Sequence, residues 1–190
     1  MGSPRPAPRV ILLTGAPGVG KTTLLVRLLA DLPVPRGGFL TAEIREGGER
    51  LGFTLETLDG RKGVLAHRRF PGPPRVGAYG VDLAVLDGLG AAALEAAVAA
   101  GSLTIIDEIG KMECASPRFV AALEAALRAG APLLATVMLR PHPVADRVKA
   151  HPASRCLTVT RTNREACLAE ALTALQALTS DRPLSSGERP

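Results

Sequence analysis

Apolar and polar positions along the chain recur with two different periods, and these periods predict short strands followed by helices. Residues 9–14 (RVILLT) are an apolar run rich in branched side chains, which is typical of a buried strand that ends at Gly15. The leucines between 24 and 32 keep the spacing of one helix face, and Pro33 and Pro35 end that helix. The same reasoning predicts strands at 103–106, 132–138 and 156–160, and helices at 91–100, 118–129, about 143–150 and about 164–178.

A β-hairpin is predicted early in the chain, where the period of the pattern is two. Apolar residues alternate with polar ones over 40–44 and again over 51–55, and the glycines at 47 and 48 supply the turn. Residues 67–80 are rich in Pro and Gly, which predicts an ordered loop. Because the other strands are separated by helices, we expect an α/β domain with a mostly parallel sheet, whose ligands bind at the carboxyl ends of the strands.

Length and composition predict one domain. The chain has 190 residues, of which 46% are hydrophobic, so it can bury a full core. We expect this domain to span residues 9–178, preceded by a flexible N-terminus at 1–8. Residues 179–190 are polar and rich in Pro and Ser, and we expect them to be a disordered tail.

The net charge and the cysteine content limit which classes of binding partner and which cellular compartment we expect. The net charge of +5 favours anionic ligands, but no basic cluster is interleaved with aromatic residues, so a nucleic-acid partner is not expected. The three cysteines include no CxxC pair, which argues against a disulfide framework or a zinc site and favours a reducing compartment. No apolar run approaches the roughly 18 residues needed to span a bilayer. We therefore expect a cytoplasmic protein with no membrane partner.

The segment GAPGVGKT, residues 15–22, matches the phosphate-binding pattern G-x-x-x-x-G-K-[ST], or Walker A, in full. Glycines let several backbone N–H groups converge on a polyphosphate, and the positive end of the following helix points at the same anion. In this motif the lysine, here Lys21, faces the β- and γ-phosphates, and a hydroxyl, here that of Thr22, ligates Mg²⁺. A nucleoside triphosphate is therefore the expected ligand.

Two interpretations are open for the stretch LTIIDEIGKMEC, residues 103–114. Asp107 and Gly110 fit the DxxG pattern of a GTPase switch, but the guanine-reading NKxD pattern is missing, since the nearest candidate, residues 163–166 (NREA), lacks its Lys and its Asp. In the Walker B interpretation the strand ends just before Asp107, which joins the Mg²⁺ shell directly or through water, and Glu108 polarises the attacking water. The missing guanine motif favours this hydrolase interpretation, with Lys21 and Glu108 as catalytic residues.

Together the stretches GAPGVGKTTLL, GGFLTAEIREGGERLGF, VGAYGVD and IIDEIGKME resemble the cancer-related nucleoside-triphosphatase family, small P-loop NTPases also found in thermophiles, over about residues 9–178. The resemblance implies a three-layer α/β/α fold and a monomeric, Mg²⁺-dependent enzyme. It implies slow hydrolysis of ATP, GTP, CTP and UTP to the diphosphate and phosphate. It also implies the nucleotide-contacting residues Gly15, Ala16, Pro17, Gly18, Val19, Gly20, Lys21, Thr22, Leu103, Thr104, Ile105, Ile106, Asp107, Glu108, Ile109 and Gly110.

Some residues and functions keep more than one interpretation. Lys111 and Glu113 are candidates for orienting water or phosphate, but a solvated ion pair is favoured for them. Thr136 is a candidate for contacting the γ-phosphate, but an ordinary strand residue is favoured. A nucleotide or small-molecule kinase, with residues 61–75 as a lid, stays open, as does a nucleotide-switched binding protein. Neither the base preference nor a partner that stimulates turnover follows from the sequence. Three arginines that follow predicted strands are candidates for stabilising transition-state charge: Arg140, Arg161 and Arg164.

Overall fold

A computed structural model of the chain describes residues 8–180. The predicted flexible segment 1–8 lies outside the described residues except for its last one, and of the predicted tail only residues 179 and 180 are described, as the end of the last helix. The strands in the described part are β1 (Val10–Thr14), β2 (Arg36–Glu46), β3 (Glu49–Thr57), β4 (Lys62–His67), β5 (Arg75–Val76), β6 (Tyr79–Val81), β7 (Leu103–Ile109), β8 (Leu133–Val137) and β9 (Ser154–Thr158). The helices there are α1 (Lys21–Ala30), α2 (Leu83–Val85), α3 (Ala92–Ala99), α4 (Pro117–Arg128), α5 (Pro143–Ala150) and α6 (Arg164–Ser180), with a π-helical segment at Leu86–Ala91 and a 3₁₀ turn at Glu113–Ala115.

The strands of residues 8–180 form one sheet in the order β5-β6-β4-β3-β2-β7-β8-β1-β9. Strands β2, β7, β8, β1 and β9 make a parallel core. Strands β3, β4, β6 and β5 extend it beyond β2 in antiparallel pairs. Parallel neighbours need crossover connections, which the helices between them supply. The predicted α/β class with a parallel core and an early hairpin, β2–β3, is confirmed.

Helices cover both faces of the parallel core, because strands of such a core are apolar on both sides. In β1, Val10 and Leu12 join the buried cluster that includes residues of α4 and α5, whereas Ile11 and Leu13 join the cluster that includes residues of α1 and α6. This alternation places one helical layer on each side of the sheet, as the three-layer prediction requires. No helix within residues 8–180 is both long and apolar enough to cross a membrane.

The antiparallel part of the sheet is larger than the sequence predicts. β4, β5 and β6 occupy a region that was expected to hold a lid or a loop. β5 and β6 have 2 and 3 residues, which is too short for a period of two to show. The loop prediction over 67–80 is therefore wrong in its second half. Residues 61–75 are not a free lid either, since β4 is paired with β3 and β6.

Two strands of the core differ in their bounds from the prediction. β7 continues through the acidic pair to Ile109 instead of ending at Ile106, and its pairing with β8 shifts register between these two residues. Such an irregularity re-aims side chains, and here it falls at Asp107 and Glu108. β9 begins earlier than predicted because it pairs along the whole of β1, with Ser154 opposite Val10.

The contact between β2 and β7 depends on Gly38, whose φ is +110° and where an added Cβ would lie 2.0 Å from the carbonyl oxygen of Ile105. We expect Gly38→Ala to lower the free energy of unfolding by about 2–5 kcal/mol, since it combines left-handed backbone strain with a steric overlap. Gly60→Ala is the matched control, because Gly60 has a φ of +92° but open space where the Cβ would lie. Urea denaturation should show a loss of about 1 kcal/mol for the control. Equal losses in the two variants would contradict the packing argument.

Candidate functional site

The loop between β1 and α1 is packed at its base and exposed at its tip. Gly15 begins it with a φ of +149°, and a Cβ there would lie 2.3 Å from the carbonyl oxygen of Val159, so glycine lets the loop pack against the segment after β9. Residues 16–18 are exposed. Because α1 begins at Lys21, the free N–H groups of its first turn and the positive end of its dipole adjoin this loop. This arrangement suits a bound polyphosphate.

The Lys21 side chain connects the loop with the acidic pair. Its Nζ donates a hydrogen bond to the carbonyl oxygen of Gly15, 3.2 Å away, and lies 3.8 Å from Oε1 of Glu108. The Lys21 side chain is 12% exposed, so contacts within the protein set its position. An ammonium held there can meet the phosphates of an anion bound in the loop.

Asp107 is a buried carboxyl, 1% exposed, near the carboxyl end of β7. Its Oδ1 accepts hydrogen bonds from the hydroxyls of Thr136, 2.6 Å away, and Thr22, 3.2 Å away. Its Oδ2 is buried and accepts no hydrogen bond of acceptable geometry from the described residues. Burial raises the pKa of Asp107, while the Thr136 and Thr22 hydroxyls, the nearby Thr41 amide and the Lys21 charge oppose that rise.

Thr22 and Asp107 fit a hard divalent cation. A buried carboxylate oxygen without a partner is costly, and a cation that prefers oxygen ligands would satisfy it. Residues 8–180 hold no group of three or more His, Cys, Asp or Glu side chains suited to a metal ion, so phosphate oxygens and water would complete the shell. That ligand set is typical of Mg²⁺ at nucleotide sites.

Glu108 is the more accessible of the two neighbouring acids, with 37% of its side chain exposed. Burial raises the pKa of Glu108, the Lys21 charge lowers it, and the Asp107 charge raises it. A partly exposed carboxylate beside a phosphate-binding loop can accept a hydrogen bond or a proton from a water molecule at the phosphates. Glu108 is therefore accessible to a water molecule at the phosphates, whereas the buried carboxyl of Asp107 is not.

The structure corrects the expectation that Glu113 forms a solvated ion pair with Lys111. Glu113 is buried, 5% exposed, whereas Lys111 is exposed, and no ion pair of Glu113 occurs within residues 8–180. The N–H of Gly110 donates to Oε2 of Glu113, 3.1 Å away, and the 3₁₀ turn brings that side chain inward. Burial raises the pKa of Glu113 to about 8, and the charges of Glu108 and Asp107 add to the rise.

Except for Ile109 and Gly110, the residues predicted to contact nucleotide fall into two groups. Residues 15–22, Asp107 and Glu108 meet at the carboxyl ends of β1 and β7. Ile109 is buried, and the Gly110 N–H is engaged by the buried carboxyl just described. The second group lies inside the sheet between β2 and β8, each residue at most 4% exposed, and forms the strand that presents the acids: Leu103, Thr104, Ile105 and Ile106.

Of the three candidate arginines, Arg164 lies against the phosphate-binding loop. A Cβ added to Gly20 would lie 3.6 Å from Nε of Arg164. An ion pair of 2.6 Å between α1 and α6 holds this end of α6 in place. Arg140 and Arg161 are exposed, and neither makes a hydrogen bond or an ion pair within the described chain. The geometry therefore singles out one arginine where the sequence offered three.

Sequence reasoning names Thr136 and Glu113 as candidates but favours an ordinary strand residue and a solvated residue over positions at the site. In the register of β7 and β8, Ala135 lies opposite Ile106, so Thr136 is the next residue along and adjoins Asp107. A polar residue late in a buried strand is the signal for Thr136, but its use requires knowing that these two strands are neighbours. For Glu113 the signal is its spacing of three residues from a glycine, which a tight turn closes.

Comparisons with known proteins agree with one another. A family model described as NTPase matches residues 10–172. Nucleoside-triphosphatase THEP1 of Thermotoga petrophila is 42% identical over 166 residues, which are 87% of this chain and 92% of that protein. The crystal structure of THEP1 from Aquifex aeolicus matches with a TM-score of 0.80 at 32% identity and covers 87% of this chain and 98% of that chain. The solution structure of a human cancer-related nucleoside triphosphatase matches with a TM-score of 0.75 at 35% identity and covers 92% of this chain and 100% of that chain.

The buried carboxyl of Glu113 predicts a specific dependence of stability on pH. Its folded pKa of about 8 lies above the ordinary value of 4.5, so the stability associated with its proton is full below pH 4.5 and is lost as the pH rises toward 8. Glu113→Gln removes this dependence, so we expect the variant to gain stability relative to the wild type between pH 5 and pH 8. Thermal denaturation across that range measures the difference. A difference that stays constant with pH would contradict the raised pKa.

Proposed function

Because this chain belongs to the NTPase family and is a nucleoside-triphosphatase, we propose that it hydrolyses ATP, GTP, CTP and UTP slowly to the diphosphate and phosphate with Mg²⁺, as a cytoplasmic monomer. The observation that carries the proposal is that three charged groups lie together beside the phosphate-binding loop. They are the Lys21 ammonium, the Asp107 carboxyl and the Glu108 carboxyl. A phosphate, a cation and a water molecule each have a matching protein group there.

The loop of residues 15–22 binds the triphosphate through its backbone N–H groups and the first turn of α1. Lys21 adds a positive charge toward the β- and γ-phosphates. Because its Nζ is anchored on the Gly15 carbonyl oxygen, the charge is in place before the substrate arrives. This preorganisation avoids a rearrangement during the reaction.

Thr22 and Asp107 would hold the Mg²⁺ ion. When bound, the ion neutralises phosphate charge and orients the γ-phosphate. Thr136 keeps Oδ1 of Asp107 occupied, which leaves the unpartnered Oδ2 for the ion or for one of its waters. Thr136 thus fixes the orientation of the carboxylate.

Glu108 orients and polarises the attacking water. The water oxygen forms a bond to the γ-phosphorus, and the bond from that phosphorus to the bridging oxygen breaks. The diphosphate leaves with the bridging oxygen, and the proton of the water passes toward Glu108 and then to solvent. Burial raises the pKa of Glu108, and the Lys21 charge and hydrogen bond oppose that rise, which supports the ionised form that this role needs.

Broad use of bases is supported by the segment after β9. The side chain of Asn163 accepts a hydrogen bond from the Thr160 N–H at 2.8 Å and donates one to the Thr158 carbonyl oxygen at 2.9 Å. Its amide is therefore engaged within the protein and does not present a base-reading edge. No specific observation favours a kinase, since the candidate lid at 61–75 includes the paired strand β4.

We expect the wild type to release phosphate from all four nucleoside triphosphates with Mg²⁺ and without any acceptor, and Glu108→Gln to lower kcat by about 10²–10⁴-fold while Mg²⁺-nucleotide binding persists. Lys21→Ala should abolish triphosphate binding or turnover. Glu56→Gln is the matched control, because that exposed acid pairs with Lys62 on the antiparallel strands, and it should behave as the wild type. Phosphate release and nucleotide titration measure these effects.

Three results would overturn parts of this proposal. Hydrolysis by Glu108→Gln at the wild-type rate would remove Glu108 as the group that acts on water. A kcat/KM that differs by several orders of magnitude between bases would end the claim of broad specificity. Binding without release in the wild type would move the assignment to a kinase or a nucleotide-switched protein.

Arg164 is expected to contribute to nucleotide binding or to the transition state, because its guanidinium lies beside Gly20. We expect Arg164→Ala to lower kcat/KM by roughly 10–100-fold, the effect of losing a hydrogen bond to a charged group. Arg161→Ala, a change to a neighbouring exposed arginine, should stay within about twofold of the wild type. Equal effects of the two substitutions would show that the contact with the loop is irrelevant.

A further inference from the structure

The carboxyls of Glu113 and Glu108 lie on the same side of Gly110. A Cβ added to Gly110 would lie 2.8 Å from Oε2 of Glu113 and 3.5 Å from Oε2 of Glu108. The two acids therefore lie close to each other beside Gly110, although they are five positions apart in sequence. Nothing in the hydrolytic scheme above uses Glu113.

The surroundings of Glu113 favour its neutral form. It is buried, and the described chain gives it no ion-pair partner. From β7, the charged groups that act on it are the acids Glu108 and Asp107. Lys21 of α1 lies at Glu108 instead, 3.8 Å from Oε1. Because an unpaired buried charge is costly, a carboxyl in these surroundings keeps its proton.

The other titratable groups near Glu113 do not reverse this conclusion. Cys114, the next residue in the 3₁₀ turn, has a thiol whose pKa burial raises to about 12, so it stays neutral. Arg147 of α5 lowers the pKa of that thiol, whereas the charges with the largest effects on the pKa of Glu113 are those of Glu108 and Asp107. The Gly110 N–H donates a hydrogen bond to Oε2. The proton of a neutral Glu113 carboxyl still requires an acceptor.

We propose that Glu113 is a positioning residue for hydrolysis, whose protonated carboxyl donates a hydrogen bond to the Glu108 carboxylate and holds it toward the attacking water. The proposal rests on the role proposed for Glu108. A neutral donor stabilises the ionised form of Glu108 and fixes its orientation. An ionised Glu113 would do the opposite, because two neighbouring carboxylates repel each other and each favours protonation of the other.

Two consequences follow from a donor that must stay protonated. Glutamine at position 113 can replace it, since an amide oxygen accepts from the Gly110 N–H and an amide nitrogen donates to Glu108. Leucine, which has a similar volume, can do neither. Activity of the wild type should also fall as Glu113 loses its proton, above a pH of about 8, whereas the glutamine variant has no such proton to lose.

The test compares kcat, KM and Mg²⁺-nucleotide affinity of the wild type, Glu113→Gln and Glu113→Leu from pH 6 to pH 9.5, with Glu108→Gln as the reference. We expect Glu113→Gln to keep kcat within about threefold of the wild type at pH 7. Above pH 8 the wild type should lose roughly tenfold per pH unit, and Glu113→Gln should not show that loss. Glu113→Leu should lose about 10–100-fold in kcat with little change in nucleotide affinity.

Each outcome decides the proposal. If Glu113→Gln is as inactive as Glu108→Gln at pH 7, the site needs an ionised Glu113 and the proposal is wrong. If Glu113→Gln keeps the alkaline loss of the wild type, the loss belongs to another group and the proposal is equally wrong. Should Glu113→Leu fail to fold, the pH profile of Glu113→Gln still decides. Full activity of Glu108→Gln would instead overturn the role of Glu108, which separates that failure from this one.

Discussion

The burial of the Asp107 carboxyl is the constraint on which the rest of the site depends. Hydroxyls from the first turn of α1 and from the end of β8 both donate to its Oδ1, so one side chain joins a helix and two strands at the edge of the sheet. The Lys21 ammonium, in contrast, donates a hydrogen bond to the Gly15 carbonyl oxygen of the loop and lies beside the Glu108 carboxyl. The charge of the Asp107 carboxyl is therefore disfavoured, and its Oδ2 accepts no hydrogen bond of acceptable geometry within residues 8–180. A cation bound there with phosphate would relieve that cost and would couple nucleotide binding to the folded geometry.

The three acids of one short segment, Asp107, Glu108 and Glu113, lie in three different environments. Each environment suits a different role. Asp107 is buried among hydroxyls, which suits a ligand held in one orientation. Glu108 is partly exposed and faces an ammonium, which suits a carboxylate that acts on water. Glu113 is buried among acids, which suits a neutral group. We propose that the same carboxyl chemistry serves different purposes here because solvent and neighbouring charges differ over a few ångströms.

The parts of this molecule that could be predicted from the sequence are those that local chemistry determines. The glycines and Lys21 of the loop are required by a polyphosphate, and the apolar runs of the parallel core are long enough to show their period. The antiparallel extension escaped prediction, because strands of two or three residues carry no period. The partner of Asp107 on β8 escaped because it depends on the strand order, which the sequence does not reveal. Glu113 was misread as solvated because its burial results from a tertiary turn around Gly110.

A crystal structure with Mg²⁺, a nucleoside diphosphate and aluminium fluoride in place of the γ-phosphate would test the central claim most directly. The account predicts a cation about 2.0–2.1 Å from the Thr22 hydroxyl, with Asp107 bound to it directly or through one water. It also predicts a water about 3 Å from the Glu108 carboxylate, in line for attack on the fluoride group. A cation held away from both Thr22 and Asp107, or an attacking water oriented by a group other than Glu108, would contradict it.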